Sequence, residues 1–191
     1  TFKNRKRHSP ESVKLAKTIA DESTVLLKNE NQLLPLDAKS LKSIAIIGPN
    51  ADQVQFGDYT WSRNNKDGVT PLQGIKNRVN KNTAIHYAKG CSLTSLDTSG
   101  IAEAVEAAKN SEVAVIFGGS ASAALARDYK SSTCGEGFDL NDLNLTGAQS
   151  QLIREVYRTG TPVILVLVTG KPFVIEWEKN NLPAILVQWY A

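Results

Sequence analysis

The chain has 191 residues, of which 41% are hydrophobic and 21% charged, enough apolar material for one sizeable core in an ordinary globular domain. No apolar run approaches the ~18 residues of a membrane-spanning helix, so no membrane partner is expected. The net charge is +3, and Lys3, Arg5, Lys6 and Arg7 account for all of it, leaving a nearly neutral body without the basic stripe of a nucleic-acid binder. Two cysteines, Cys91 and Cys134, are too few for a disulfide scaffold or a Cys-based zinc site. Both follow strands in loops, so a bridge between them is conceivable, although two free thiols are the expected state.

Taken in chain order, Ser9-Pro10-Glu11-Ser12 is a helix start, with Ser9 as cap and Pro10 in the first turn. Apolar residues recur at helical spacing from Val13 through Ile19 to about Leu27. A polar turn, 28–32, leads to Leu33-Leu34-Pro35-Leu36, an extended and buried connector, because the residue before a proline avoids helix. Residues 1–42 are thus read as a linker and lead-in helix, and 43–191 as one α/β domain.

Five strands are predicted: 43–48 (SIAIIG), 83–88, 112–118, 162–169 (PVILVLVT) and 184–189. Between them lie helices opening at Thr70-Pro71, over 100–110, over 148–159 and over 174–180. Continuously apolar strands separated by amphipathic helices predict a three-layer α/β/α sandwich around a mainly parallel sheet. A long aromatic and polar loop covers 53–67, with Tyr59 and Trp61 in it. Loops of that length in compact domains are functional or disordered. The chain stops straight after an apolar strand, which points to a piece of a larger protein. No signal-peptide pattern is present.

Several chemistries lack their residues. The turn after the first strand, Gly48-Pro49-Asn50-Ala51-Asp52, has neither a dinucleotide fingerprint nor a phosphate-binding lysine. Residues 118–122 (GGSAS) miss the final glycine of a serine-hydrolase elbow. Of the two histidines, His8 falls in the linker and His86 in a strand, where a packed core histidine is the plain reading. Neither has a ligand-spaced partner, so no metal or organic cofactor is expected. What remains is the polar stretch 131–149 (SSTCGEGFDLNDLNLTGAQ), leaving the carboxyl end of a buried strand, where open α/β sheets hold ligands. In Gly135-Glu136-Gly137 a carboxyl sits on a backbone free to bend steeply. A retaining glycosidase needs such a carboxyl to protonate the leaving oxygen and a second one to attack the anomeric carbon. The acid also benefits from a partly desolvated setting. On composition alone, a solvated loop glutamate is the plainer reading. Asp139, three residues on, is read as organising the loop by accepting backbone N–H bonds.

At this point the chain resembles the second, α/β sandwich domain of glycoside hydrolase family 3, the β-glucosidases and β-xylosidases. The likeness lies in 9–36 (SPESVKLAKTIADESTVLLKNENQLLPL), 43–52 (SIAIIGPNAD), Gly57-Asp58-Tyr59 and 135–149 (GEGFDLNDLNLTGAQ), in that order. Two positions depart from the pattern. Leu140 stands where an arginine is usual, which removes an ion pair that Arg127 or Lys130 would have to replace, and Thr146 stands for a proline.

The resemblance implies a two-domain active site of an exo-acting retaining β-glycosidase working on plant-type oligosaccharides. A barrel domain preceding Thr1 would supply the nucleophile, and Glu136 the general acid/base. Tyr59 and Trp61 would line the entrance, and Asp139 would hold the loop. A further strand would follow Ala191, and the location would be periplasmic or extracellular. Without its partner domain the Glu136 loop is expected to be loosely held. The alternative is a non-catalytic structural or carbohydrate-binding module beside a self-sufficient barrel. A β-N-acetylglucosaminidase specificity fits less well, since many such enzymes keep their acid/base in the barrel.

Overall fold

Apolar runs of strand length, each closed by glycine or a polar turn, assemble here into one six-stranded sheet. The computed structural model describes residues 9–60, 67–122, 133–138 and 140–190. Trp61, Arg127, Lys130 and Asp139 lie outside them. The elements are α1 (Pro10–Ser23), β1 (Val25–Asn29), β2 (Ser43–Ile47), α2 (Pro71–Arg78), β3 (Ala84–Ala88), α3 (Ile101–Lys109), β4 (Val113–Gly119), α4 (Gln149–Tyr157), β5 (Val163–Thr169), α5 (Glu176–Asn181) and β6 (Ala184–Trp189). The strand order is β1-β6-β5-β4-β2-β3. All neighbours are parallel except β1 and β6.

The start of α1 forms as its residues dictate: Ser9 caps it by accepting the Ser12 N–H at 3.2 Å, with Pro10 in the first turn. Its end differs from the expectation. The helix stops at Ser23, and Val25–Asn29 pairs antiparallel with β6, Val25 opposite Val187 and Asn29 opposite Ala184. Ser23 and Thr24 turn their hydroxyls back onto the Ala20 carbonyl, at 3.2 and 3.0 Å, and close the last turn. The run Val25-Leu26-Leu27 keeps helical phase but is too short for periodicity to tell helix from strand. The open edge of β6 decides it, since its backbone groups need a partner. The sheet therefore begins at Val25 rather than at residue 43. Along α1 itself every residue is exposed, including Val13, Leu15 and Ile19.

β4 and β5 are buried along their whole length. On one face Ala45, Ile47, Ile116, Leu165 and Leu167 pack against Ala104 and Ala108 of α3 and Leu152, Ile153 and Val156 of α4. On the other, Ile44, Ile46, Val115, Phe117, Ile164 and Val166 meet Leu72 of α2 and the half-buried Leu33, Leu34 and Leu36. Each fully buried isoleucine or leucine contributes about 2 kcal/mol. The 33–36 connector is thus extended but only half covered. Asn29 holds it, donating to the Leu34 carbonyl at 2.8 Å and accepting the Leu34 N–H at 2.9 Å. His86 lies in β3 opposite Ala45 and is half-buried rather than a core residue.

The carboxyl end of β4 is crowded. Gly119 has φ +118°, and a Cβ there would run into the Val168 carbonyl oxygen of β5. Gly137 also has positive φ, +76°, but a Cβ there meets nothing within 4 Å. Gly119→Ala is expected to cost about 3 kcal/mol or more, from strain and backbone collision together. Gly137→Ala is expected to cost about 1–2 kcal/mol, from backbone strain alone. Urea denaturation of the two variants measures the difference; equal losses would contradict the close approach at Gly119.

Candidate functional site

Because β2, β4, β5 and β6 run in parallel, their carboxyl ends open on the same edge, and the loops leaving them meet there. The chain leaves β4 through Ser120, Ala121 and Ser122, which are buried. Ser120 shares hydrogen bonds with Thr169 at 3.0 Å and with the Tyr190 hydroxyl at 2.5 Å, joining the ends of β4, β5 and β6. The segment that returns at Thr133 is sewn to this extension. The Ala121 N–H donates to Thr133 Oγ1 at 3.0 Å, the Thr133 N–H to the Ala121 carbonyl at 3.1 Å, and Ser122 and Cys134 form a parallel bridge. A tight turn follows, closed by the Phe138 N–H on the Gly135 carbonyl at 3.1 Å, with Glu136 at its tip. Within 133–138 the buried Thr133 hydroxyl anchors the segment to the β4 extension.

The loop after β2 comes to the same point. Asp58 accepts the Glu136 N–H on Oδ2 at 2.6 Å and the Ser122 hydroxyl on Oδ1. Tyr59 donates its hydroxyl to Glu136 Oε2. Tyr59 is 84% exposed, so its ring is free to meet a ligand while its hydroxyl holds the acid. That hydrogen bond, together with the negative charge of Glu136, pushes the Tyr59 phenol above its ordinary range. Of the residues singled out in the sequence, the structure joins Tyr59 and Glu136. Trp61 and Asp139 lie outside the described residues. The Glu136 side chain is exposed, so this chain does not by itself provide the desolvation that a general acid benefits from.

Two buried amides tie the floor of the site together. Asn50 donates to the Gly118 and Ser120 carbonyls, each at 3.2 Å, and accepts from Gln55 at 2.6 Å. Gln149 accepts the Gly119 N–H at 2.8 Å and donates to the Gly119 and Leu93 carbonyls at 3.0 and 3.1 Å. Thr146, the departure from proline, donates to the Leu93 carbonyl at 2.6 Å and fastens the same loop. The Lys171 ammonium is buried with no hydrogen-bond partner among the described residues, 5.0 Å from the Phe173 ring centre. Burial pushes it down, against the opposing pull of Cys134 and Asp142. Both cysteines are free thiols, and burial pushes the Cys91 thiol up to about 11. Among the described residues, no three His, Cys, Asp or Glu side chains group as metal ligands, and no helix is long and apolar enough to cross a membrane.

Asp58 was not singled out in the sequence. Its signal is an acid between a glycine and an aromatic residue in a long polar loop after a strand, the same kind of setting as Glu136. Both of its carboxylate oxygens already accept hydrogen bonds, so it is suited to hold the site rather than to attack a substrate. The arrangement as a whole offers one outward-facing carboxyl with a fixed backbone and a phenol beside it.

Comparison with known proteins supplies the context. The profile of the glycosyl hydrolase family 3 C-terminal domain matches residues 24–191. A β-xylosidase of Formosa agariphila is 40% identical over 179 residues, covering 91% of this chain and 24% of that protein. A periplasmic β-glucosidase of Salmonella typhimurium is 35% identical, covering 93% of this chain and 25% of its own length. Among solved structures, a β-glucosidase of Listeria innocua in complex with isofagomine superposes with a TM-score of 0.82 at 27% identity, over 99% of this chain and 25% of that one. The chain thus spans about a quarter of the length of the relatives it matches.

The Tyr59–Glu136 contact is testable in the chain alone. Ultraviolet titration should find a tyrosine ionising above the ordinary value of 10.0. Glu136→Gln, which removes the charge and the carboxylate acceptor, should return that tyrosine towards the ordinary value. An unchanged titration curve would mean that the contact does not form in solution.

Proposed function

Because this chain belongs to glycosyl hydrolase family 3, as its C-terminal domain, we propose that it supplies the general acid/base of an exo-acting, retaining β-glucosidase or β-xylosidase. The observation that carries this reading is Glu136 itself, held at the tip of a tight turn with its backbone fixed by Asp58 and its carboxyl facing outward beside Tyr59. The nucleophile comes from a barrel domain elsewhere in the longer protein, in keeping with the fraction of each relative that this chain covers. Closure of that barrel over Glu136 provides the desolvation that the exposed carboxyl lacks here.

In the first step the nucleophile's carboxylate forms a bond to the anomeric carbon as the glycosidic bond breaks. The Glu136 proton passes to the departing oxygen, which leaves as an alcohol. In the second step Glu136, now a carboxylate, takes a proton from water as the water oxygen bonds to the anomeric carbon and the nucleophile departs. Glu136 returns to its acid form. Tyr59 and Trp61 line the entrance with flat faces suited to sugar rings, and Asp139 steadies the loop. The substrates are β-glucosides or β-xylosides of oligosaccharides, and the setting is periplasmic or extracellular, as for the Salmonella relative.

Positioned general acid catalysis contributes about 10²–10⁴-fold. In the two-domain protein, Glu136→Ala should lower kcat/KM on unactivated β-glycosides by that order while sparing dinitrophenyl glycosides, whose leaving groups need no proton. Azide should restore turnover of the activated substrate by forming the β-glycosyl azide. Full activity of the variant on unactivated substrates would leave this domain a structural or carbohydrate-binding module. The chain alone should hydrolyse no aryl β-glycoside; retaining activity from it would overturn the two-domain account.

A further inference from the structure

We infer that Asp58 is a positioning residue for the reaction, acting through Glu136; the inference rests on the acid/base reading of Glu136. The turn at 135–138 is built on two glycines with φ +134° and +76°, a backbone that glycine leaves free to adopt many directions. Something outside the turn must select the direction in which the Glu136 side chain leaves it. Within the turn the Phe138 N–H bonds to the Gly135 carbonyl, which closes it without orienting it. The Asp58 carboxylate supplies the orientation. One oxygen takes the Glu136 N–H at 2.6 Å, and the other takes the Ser122 hydroxyl at the buried end of the β4 extension. The acid's own backbone is thereby referred to β4, a central strand buried along its whole length.

The geometry is that of a charge-assisted hydrogen bond, shorter and stronger than one between neutral groups. Tyr59, the next residue, holds the far end of the same side chain by its carboxylate. The Asp58-Tyr59 pair therefore grips Glu136 at its amide and at its acid, from a loop 78 residues away in the chain. A carboxyl that must deliver a proton to one oxygen loses about 10²-fold when misplaced by about 1 Å. No such loss applies where the leaving group needs no proton.

The test uses the two-domain protein and kcat/KM, which reports the step in which the acid donates. Asp58→Ala is expected to lower kcat/KM on an unactivated β-glycoside about 10²-fold, and on the dinitrophenyl glycoside less than about threefold. Asp58→Asn keeps an acceptor oxygen for the Glu136 N–H and should recover most of the loss. Ser122→Ala loosens the clamp at its other end and should produce the same split at about tenfold, so an unfolded Asp58→Ala leaves the test in place. Equal losses on both substrates, or no loss, would overturn the inference. Glu136→Ala is measured alongside. If it shows no leaving-group split, the acid/base reading itself fails. If it shows the split while the Asp58 and Ser122 variants do not, only the positioning role of Asp58 fails.

Discussion

The parallel insertion of β4 between β2 and β5 is the constraint on which the rest of the structure depends. With both faces covered and both edges paired, β4 has no freedom of register, and its carboxyl end is delivered to a set place. β2 and β4 align Ile44 with Val113 and Ile47 with Ile116, while β4 and β5 align Ala114 with Val163 and Gly119 with Val168. The contact of Gly119 with the Val168 carbonyl is the tightest consequence, since only a residue without Cβ lets the two backbones come so close. Everything chemically interesting hangs from that edge.

Immobile strand ends would still leave their loops undetermined without the buried polar groups just beyond them. Asn50 and Gln149 do for these loops what backbone ladders do for strands. A buried carbonyl or N–H without a partner costs about 1–3 kcal/mol, and these two side chains satisfy the loose ends of Gly118, Gly119, Ser120 and Leu93 together. Ser120, Thr169 and Tyr190 extend the network to β5 and β6. Thr146 joins it through the Leu93 carbonyl, a bond that a proline in its place would lack. The network is dense on the floor of the site and ends at Glu136, whose carboxyl faces outward.

That ending has a functional sense. A carboxyl that exchanges a proton with a bound sugar, as proposed for Glu136, must face the sugar, and this chain spans about a quarter of its relatives' length. On the proposed reading, the chain contributes the orientation of the acid, and the partner domain contributes the dry surroundings and the attacking carboxylate. Such a division explains why a residue with so plain a setting is held by three separate groups: the turn's own hydrogen bond, Asp58 and Tyr59.

The order of helices and strands from Ser43 onward and the parallel character of the sheet were legible in the sequence from local chemistry: β-branched apolar runs favour buried strands and amphipathic spacing favours helices. The glycines flanking Glu136 marked only an exposed turn, and its candidacy as the acid came from the family resemblance. Belonging to β1 rather than to α1 was not legible for Val25–Asn29, because the short apolar run Val25-Leu26-Leu27 fits both periods and the open edge of β6 lies some 160 positions away. Nor was the role of Asp58 or Gln149, or the meeting of Tyr59 with Glu136 across 77 residues. Periodicity reports which way a side chain faces from its own element. Which loops meet is decided only when the sheet brings distant strand ends to one edge, and here that placement set an ordinary loop aspartate against the Glu136 amide.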